Sequence, residues 1–447
     1  MTGWPLRARL KPMPALLYAH RRAAAVAVSL VFVASFSGCE NRDAHITAPS
    51  GAAALSRFTV IGTDLSMGVA SGGVLASTQG TSWPAIIAGS AQTTFRQPLF
   101  KVPGCTPPLV APLLLGRWLS GSSATIRDSS CAGPATSAAI PADNLSLPNA
   151  TAYAALHFTP KLLAATPASY PALDRARYPL VLGTTQSQVT AMLVKAPTFV
   201  ALELGTAEVL GAVTSGLLLP AATYMQAAPW TYVPAAVAAP IIAAIGDSIA
   251  KSAANAVILS VPHMTRFPAF QAGRALAAQR TVLAALGVTV ASNCEASVNV
   301  INVAAKIPSL VLQSITTGLP QPLSCADVPG SADHVLLPAD VAVLDAAVDQ
   351  INAQLKQLAK AHRWAFADLD LPFATMLAGT GPYAAGAHLT CTMPYGWYFS
   401  LDGLRPTAEG QRLIANAVAL AINEAYRLGL PTLGVSTLLP LRASPCP

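Results

Sequence analysis

Residues 58–68, FTVIGTDLSMG, constrain the fold more than any other stretch, because an apolar strand pattern runs directly into a glycine-bounded turn. A helical pattern follows at residues 82–88. In open α/β sheets, loop N–H groups and helix dipoles converge where a strand ends and a helix begins. The stretch therefore predicts a site at the carboxyl end of this first strand, beside Asp64.

The rest of the chain alternates apolar strand patterns with helical ones. The strand patterns lie at residues 143–150, 197–205, 255–261 and 364–368, and the helical ones at 184–195, 234–252, 271–286, 338–362 and 406–426. The helix at 338–362 is the clearest, since Val341, Leu344, Val348 and Ile351 recur at helical spacing. This alternation predicts a fold of the α/β class.

Two insertions interrupt the alternation. Residues 95–142 are rich in Pro, Gly and Ser and predict a long decorated loop; loops of this length in a compact domain are usually functional. The second insertion spans about residues 290–335. Within it, residues 297–317 alternate apolar and polar side chains, which we interpret as an inserted hairpin.

The charge balance is dominated by the N-terminal segment. Among 447 residues, 53% are hydrophobic and only 11% are charged, so the chain can build a large core. Five of its seven net positive charges come from basic residues that precede Cys39, with no acidic residue among them. The basic excess therefore belongs to a targeting segment and does not predict nucleic-acid binding.

The first 38 residues have the pattern of a secretory signal. A basic start is followed by an apolar run at residues 23–36 and by Phe36-Ser37-Gly38-Cys39, which resembles a bacterial lipobox. The resemblance implies cleavage before Cys39, lipid attachment to its thiol, and a tether over residues 39–56. An ordinary signal peptide, with Cys39 incidental, is the alternative. We expect export to the bacterial cell envelope in both cases. In the first case, the lipid on Cys39 would anchor the protein to a membrane.

Six cysteines remain beyond Cys39, an even number that permits pairing in an oxidising compartment. Pairing of nearest neighbours, which would close the loop-rich insertions, is our expectation; buried free thiols are the alternative. The predicted pairs are Cys105–Cys131, Cys294–Cys325 and Cys391–Cys446. No Cys/His group has zinc spacing, and the sequence predicts neither a metal nor a cofactor.

Two blocks carry a family resemblance. Residues 62–68 resemble the first block of the SGNH (GDSL-type) hydrolases, Gly-Asp-Ser-x-x-x-Gly, with both glycines in register. Asp64 stands at the position of the nucleophilic serine. Residues 398–410 resemble the Asp-x-x-His block before the last helix of that family. Asp402 is in place there, whereas Arg405 stands at the position of the general-base histidine.

The two middle blocks resemble the family's oxyanion-hole segments. In the second block, the glycine whose N–H donates to the oxyanion is replaced by Asn149, which tolerates left-handed backbone angles. In the third, the donating asparagine is replaced by Ala207. The resemblance covers residues 57–433 and precedes a tail at 434–447. It implies a three-layer α/β/α sandwich, flavodoxin-like, around a parallel sheet of about five strands.

The resemblance implies an inherited reaction, hydrolysis of carboxylic esters through a serine nucleophile, that this chain has lost. Asp64 and Arg405 replace the nucleophile and the base together, and arginine cannot accept a proton. We expect these two side chains to form an ion pair; solvated, unpaired charges are the alternative. The cleft beside Asp64 and Arg405, which we call the remnant cleft, would then bind a small molecule or an acylated ligand. Alternatively, the protein would serve as a structural envelope protein.

Other interpretations remain at this stage. A working esterase with a rebuilt site would use Ser66 or Asp64, and Glu208 is either a buried acid or the partner of a loop donor. A surface module that binds glycans or proteins is a third possibility. The letters GDSI at residues 246–249 match the family's name motif, but they lie within a helical pattern. Ser248 is therefore not expected to be catalytic.

Overall fold

The computed structural model describes residues 50–123, 128, 130–135, 140–226 and 230–434. Four of its strands form a central parallel sheet, and the others form small sheets around it. The strands are β1 Phe58–Ile61, β2 Phe199–Leu202, β3 Leu219–Pro220, β4 Thr231–Tyr232, β5 Asn255–Leu259, β6 Phe270–Ala272, β7 Val288–Val290, β8 Val300–Asn302, β9 Gln321–Leu323, β10 Val335–Leu336 and β11 Ala365–Ala367.

The central sheet has the order β1-β2-β5-β11, and all four strands are parallel. Residues 143–147 extend it at the β1 edge, where the amides of Leu145 and Leu147 donate to the carbonyls of Val60 and Gly62. With this edge segment, the sheet matches the prediction of about five strands. All carboxyl ends lie along one edge, which is where β1 delivers Asp64.

Helices follow most of the strands. Their bounds are α1 Gly51–Ala54, α2 Asp64–Met67, α3 Ala76–Gly80, α4 Trp83–Ser90, α5 Ala152–His157, α6 Pro160–Ala165, α7 Ala172–Leu182, α8 Gln188–Lys195, α9 Ala207–Ser215, α10 Ala235–Lys251, α11 Gly273–Ala278, α12 Arg280–Ala285, α13 Val303–Thr317, α14 Pro338–His362, α15 Asp370–Leu377 and α16 Ala408–Tyr426. The predicted helix at 338–362 is confirmed at both ends. The one predicted at 271–286 is two short helices, α11 and α12.

The helices flank the parallel sheet in an α/β/α arrangement, as predicted for the fold class. Helices α4 and α16 pack on each other, and α16 also contacts β11 and β5. A second group, in which α10 contacts α5, α8 and α14, reaches the sheet through α8 against β1 and α14 against β5. Strands β1 and β2 are buried throughout, which explains their unbroken apolar sequences.

The predicted hairpin at 297–317 is wrong, because most of that segment is helix α13. Its N-cap is Asn302, whose side chain accepts a hydrogen bond from the amide of Ala305. Buried Val303, Ile307 and Val311 follow at steps of four residues, which places them on one face of the helix. Strand β8, just before the helix, pairs with β6 and β10 rather than with a partner inside the segment.

Both insertions are closed by disulfides, as the pairing of nearest neighbours predicted. Cys105 is bonded to Cys131, and Cys294 to Cys325. Cys391 is also disulfide-bonded; its predicted partner Cys446 lies outside the described residues. Disulfides form and persist in oxidising compartments, so they agree with an exported protein.

Leu55, which directly follows α1, is fully buried. The packed region therefore begins before residue 57, the predicted start of the domain. The signal segment, Cys39 and most of the predicted tether lie outside the described residues, as does the tail from residue 435. In the part of the chain that the structure describes, no helix combines the length and apolarity needed to cross a bilayer.

Candidate functional site

Asp64 lies at the carboxyl edge of the sheet, at the start of the one-turn helix α2 that follows β1. The preceding turn is tight, because a Cβ on Gly62 would come within 2.7 Å of the Ser66 and Ser146 hydroxyls. A buried carboxylate holds this turn. Glu203, just after β2, accepts hydrogen bonds from the amides of Thr63 (2.8 Å) and Ser66 (3.2 Å) and from both of their hydroxyls. Glu203 thereby caps α2 and fixes Asp64.

Arg405 reaches Asp64 from the last block of the chain. Its Nη2 lies 2.9 Å from Asp64 Oδ2, and its Nη1 lies 3.2 Å from Asp402 Oδ2. The other oxygen of Asp402 accepts the amides of Leu404 and Arg405, which sets the turn that aims the arginine. The expected ion pair is confirmed, and it is part of a larger group. We call Asp64, Asp402 and Arg405 the ion triad.

Asn149 completes the coordination of Asp64. Its φ of 60° is the left-handed backbone that its glycine-like position requires. Its backbone N–H donates a hydrogen bond to Asp64 Oδ1 at 3.2 Å. The backbone N–H of residue 149, for which the sequence resemblance implies an oxyanion-binding role, is therefore bonded to a carboxylate of the protein itself. Both carboxylate oxygens of Asp64 have partners, one on Asn149 and one on Arg405.

Ala207 opens helix α9, and the residue before it, Thr206, lines a cavity together with Asp64 and Arg405. Asp64, Asn149 and Arg405 thus lie around this cavity and a second one at one edge of the sheet, and Ala207 directly follows a residue that lines the first. A methyl group at residue 207 offers no hydrogen-bond donor there.

The ion triad is mostly shielded from water. The side chains of Asp64 and Asp402 are 7% and 10% exposed, and that of Arg405 is 17% exposed. Burial alone would lower the pKa of the guanidinium, but the two neighbouring carboxylates outweigh burial and raise this pKa above its ordinary value. Arg405 is therefore permanently cationic and has no lone pair with which to accept a proton.

Two small cavities adjoin the ion triad. One, of about 30 Å³, has mainly apolar walls that include Leu210, Phe267 and Phe373. The other, of about 60 Å³, is lined by Trp118 and Arg177 together with Asp64, Asn149 and Arg405. Volumes of this size hold a few water molecules and are far below those of ordinary small-molecule sites.

The alternative candidates Ser66 and Glu208 are buried away from these cavities. Ser66 is fully buried and its hydroxyl donates to Glu203 at 2.9 Å. Glu208 accepts hydrogen bonds from the amide of Ala152 and the hydroxyl of Tyr224, and burial raises the pKa of its carboxyl. Neither residue lines the space beside Asp64. Ser248 lies inside α10 and donates to the carbonyl of Ala244.

His263 lies between Pro262 and Met264, which line the apolar cavity. Its Nδ1 lies 2.7 Å from Asp370 Oδ2 and its Nε2 lies 3.2 Å from Asp349 Oδ1. The hydrogen bond to Asp370 is the main reason that the pKa of this imidazole is raised. With both ring nitrogens on carboxylates, His263 acts as a bridge between α14 and α15 rather than as a base for a serine.

Two residues that the sequence analysis did not assign support the site. Arg177 is 3% exposed, donates to the carbonyl of Pro148 at 2.7 Å, and pairs with Asp174. It therefore holds the turn that presents the amide of Asn149. Glu203 holds the turn that carries Asp64 through its hydrogen bonds to Thr63 and Ser66. The available signal for Glu203 was a single carboxylate at the end of an otherwise apolar strand.

Among the described residues, no three His, Cys, Asp or Glu side chains are grouped as metal ligands would be.

No protein-family model matches the sequence, and no curated protein does. A solved structure of a putative GDSL-like lipase from Parabacteroides merdae aligns with 84% of this chain and 98% of its own, at 11% identity and a TM-score of 0.31. Similarity at this level carries no argument about family or activity. The interpretation of the site therefore depends on its own residues.

Proposed function

We propose that this protein is an exported, lipid-anchored protein of SGNH-hydrolase ancestry that acts as a binding or envelope protein and does not hydrolyse esters. The observation that carries the proposal is the ion triad. A carboxylate and a guanidinium are paired at 2.9 Å where acyl transfer would need a hydroxyl and an imidazole. The oxidising environment indicated by the disulfides supports the export part of the proposal.

The chemistry of ester hydrolysis supports the loss of activity at each position. A nucleophile needs a base to take its proton, and Arg405 cannot act as one. Loss of one oxyanion donor typically lowers the rate by about 100- to 1,000-fold, and Ala207 supplies none. The remaining donor, the amide of Asn149, already binds Asp64.

A rebuilt esterase is the competing interpretation, and the geometry disfavours it. Ser66 is buried and its hydroxyl is bonded to Glu203, while both oxygens of Asp64 are engaged. Catalysis from either residue would require the ion triad or the α2 turn to open.

The direct test is ester turnover together with active-site labelling of the purified protein. We expect p-nitrophenyl acetate and butyrate to be hydrolysed no faster than in buffer with albumin, and a fluorophosphonate probe to label no serine. Labelling of any serine, located by peptide mass spectrometry, would overturn the non-catalytic assignment.

A gain-of-function test examines the block assignment itself. The variant Asp64→Ser/Asn149→Gly/Ala207→Asn/Arg405→His restores the family residue at all four positions, and we expect it to hydrolyse p-nitrophenyl acetate measurably. The matched control carries Asp64→Ala with the same three other changes. If both variants keep the parental circular dichroism spectrum and hydrolyse the ester equally, the assignment of these positions is wrong.

A further inference from the structure

A partly open cavity lies between the two disulfide-closed insertions, separate from the two cavities beside the ion triad. Its volume is about 300 Å³, compared with 30 and 60 Å³ for the cavities beside the ion triad. This is the lower end of the range for small-molecule sites. One wall comes from the first insertion and carries Leu113 and Trp118; the opposite wall is helix α13.

The helix wall includes three small side chains, those of Ala304, Ala305 and Ser309. Ala304, Pro308 and Leu312 line the cavity at steps of four residues, so they share one face of α13. Both walls are held covalently. The Cys105–Cys131 disulfide closes the loop that carries Trp118, and the Cys294–Cys325 disulfide brackets α13. The cavity is therefore part of the folded structure of the insertions.

The lining has two polar side chains, Ser309 and His334, and no charged side chain. His334 places Nδ1 2.8 Å from the carbonyl oxygen of Thr214, so Nδ1 must carry the proton of the neutral ring. The tautomer is then fixed, and Nε2 remains as an acceptor. A ligand that matches this lining is mostly apolar, uncharged, and carries a donor such as a hydroxyl group.

Trp118 connects this cavity to the candidate site. The same indole lines the 60 Å³ cavity that contains Asp64, Asn149 and Arg405. The ring packs close to the backbone at Gly72, where a Cβ would lie 3.5 Å from it. A ligand bound beside α13 would therefore be separated from the ion triad by a single side chain.

We propose that this cavity binds a neutral, largely apolar molecule with one hydroxyl group, such as a medium-chain alcohol. The alkyl chain of this molecule lies between Trp118 and the face of α13 that carries Ala304 and Pro308, and its hydroxyl group donates to His334 Nε2. This goes beyond the proposed function, because it concerns a site outside the remnant cleft and holds whether or not ester chemistry has been lost.

The test is calorimetric titration with 1-decanol, compared with decanoate. Burying a carboxylate without a cationic partner is costly, so we expect decanoate to bind at least tenfold more weakly than decanol. Ala304→Phe fills the cavity and should weaken decanol binding at least tenfold. Ala353→Phe, the same change at an exposed position of α14, should leave binding unchanged.

Two further variants keep the proposal falsifiable if Ala304→Phe folds poorly. Ser309→Leu narrows the same cavity from the same helix and should also weaken decanol binding. His334→Leu removes the acceptor and should weaken decanol binding three- to tenfold while leaving decanoate unaffected. Decanol binding that is equal in the parent, Ala304→Phe and Ser309→Leu proteins would place the ligand elsewhere and overturn the proposal, as would decanoate binding as tightly as decanol.

Discussion

Arg405 lies between two carboxylates, and each member of the ion triad depends on its neighbours for charge compensation in a mostly buried place. The dependence is not symmetrical. Arg405 retains Asp402 if Asp64 is lost, and Asp64 retains the amide of Asn149 if Arg405 is lost. However, the loss of Arg405 leaves two shielded carboxylates close together without a cation, which is the costlier arrangement.

This asymmetry gives the first prediction. We expect Arg405→Met to lower the free energy of unfolding by about 3–5 kcal/mol, the usual range when one partner of a buried pair is removed. Asp64→Asn, which keeps the shape and leaves Arg405 paired with Asp402, should lower it clearly less. Urea denaturation with a common m-value measures both changes. Equal losses in the two variants would mean that the ion triad is not the coupled unit described above.

The second residue-scale prediction concerns Glu203. Burial raises the pKa of its carboxyl from 4.5 to about 7, although the hydrogen bonds from Thr63 and Ser66 act in the opposite direction. The native protein then holds a proton that the unfolded chain releases near pH 4.5, so stability falls as the pH rises from about 4.5 to about 7. The fall attributable to Glu203 is about 3 kcal/mol.

Glu203→Gln tests this pH dependence, since glutamine has the same shape and does not titrate. We expect the variant to lose most of the fall in stability between pH 4.5 and pH 7 while remaining folded. The measurement is urea denaturation at half-unit pH intervals. His263, whose raised pKa also favours lower pH, is present in both proteins and cancels in the comparison. Parallel pH profiles would contradict the assignment.

At the scale of residues, the sequence predicted which side chains form the site better than which side chains hold them in place. The pairing of Asp64 with Arg405 followed from two ordered blocks at opposite ends of the chain. The roles of Glu203 and Arg177 did not, because a charged side chain is buried only where tertiary neighbours satisfy it. Those neighbours come from segments more than a hundred residues away for Glu203, and no local pattern encodes them.

At the scale of elements, helix α13 shows where pattern reasoning fails. Alternating apolar and polar side chains at residues 297–317 predicted a hairpin. The helix forms nonetheless, with Asn302 as its cap and Val303, Ile307 and Val311 as its buried stripe. Tertiary burial of that stripe outweighed the local alternation, and the helix also accommodates Pro308. By contrast, Pro338 lies in the first turn of α14, where proline is favoured, and both ends of that helix were predicted correctly.

The disulfide-closed insertions give an element-scale prediction. Their closed loops have similar lengths, with sequence separations of 26 and 31 residues. Loop-closure entropy then predicts that Cys105→Ala/Cys131→Ala and Cys294→Ala/Cys325→Ala each lower the free energy of unfolding by about 3 kcal/mol. Denaturation of the two double variants measures this. A pair whose removal leaves stability unchanged would show that its insertion is not ordered by the cross-link.

At the scale of the whole molecule, a parallel sheet could be predicted from unbroken apolar runs such as residues 199–202, because strands buried on both faces need no polar alternation. The helices at 152–182 were not predicted. Their alanine-rich and proline-containing sequences lack a strong amphipathic pattern, and the first of them, α5, depends for its position on contacts with α8 and α10. The fold class was thus easier to predict from the sequence than the helices that cover the sheet.

Anchoring is the prediction that belongs to the molecule as a whole. If Cys39 is lipidated, the protein expressed in a lipoprotein-processing bacterium should incorporate labelled palmitate and sediment with membranes. We expect Cys39→Ala to abolish labelling and to shift the protein to the soluble fraction, since a covalent lipid supplies the membrane affinity. Ser37→Ala, a conservative change beside the cleavage site, should retain both properties. Membrane association that persists in Cys39→Ala would require another anchor.

The ion triad also bears on the evolutionary paths open to this chain. Replacing Asp64 by serine first gives a hydroxyl with no base, and replacing Arg405 by histidine first leaves two carboxylates without a permanent cation. Neither single change yields a hydrolase on which selection could act, and the second also weakens the fold. Serine–histidine chemistry at these positions would therefore need simultaneous changes at residues 341 positions apart in the sequence, and the ion triad makes either change alone unproductive.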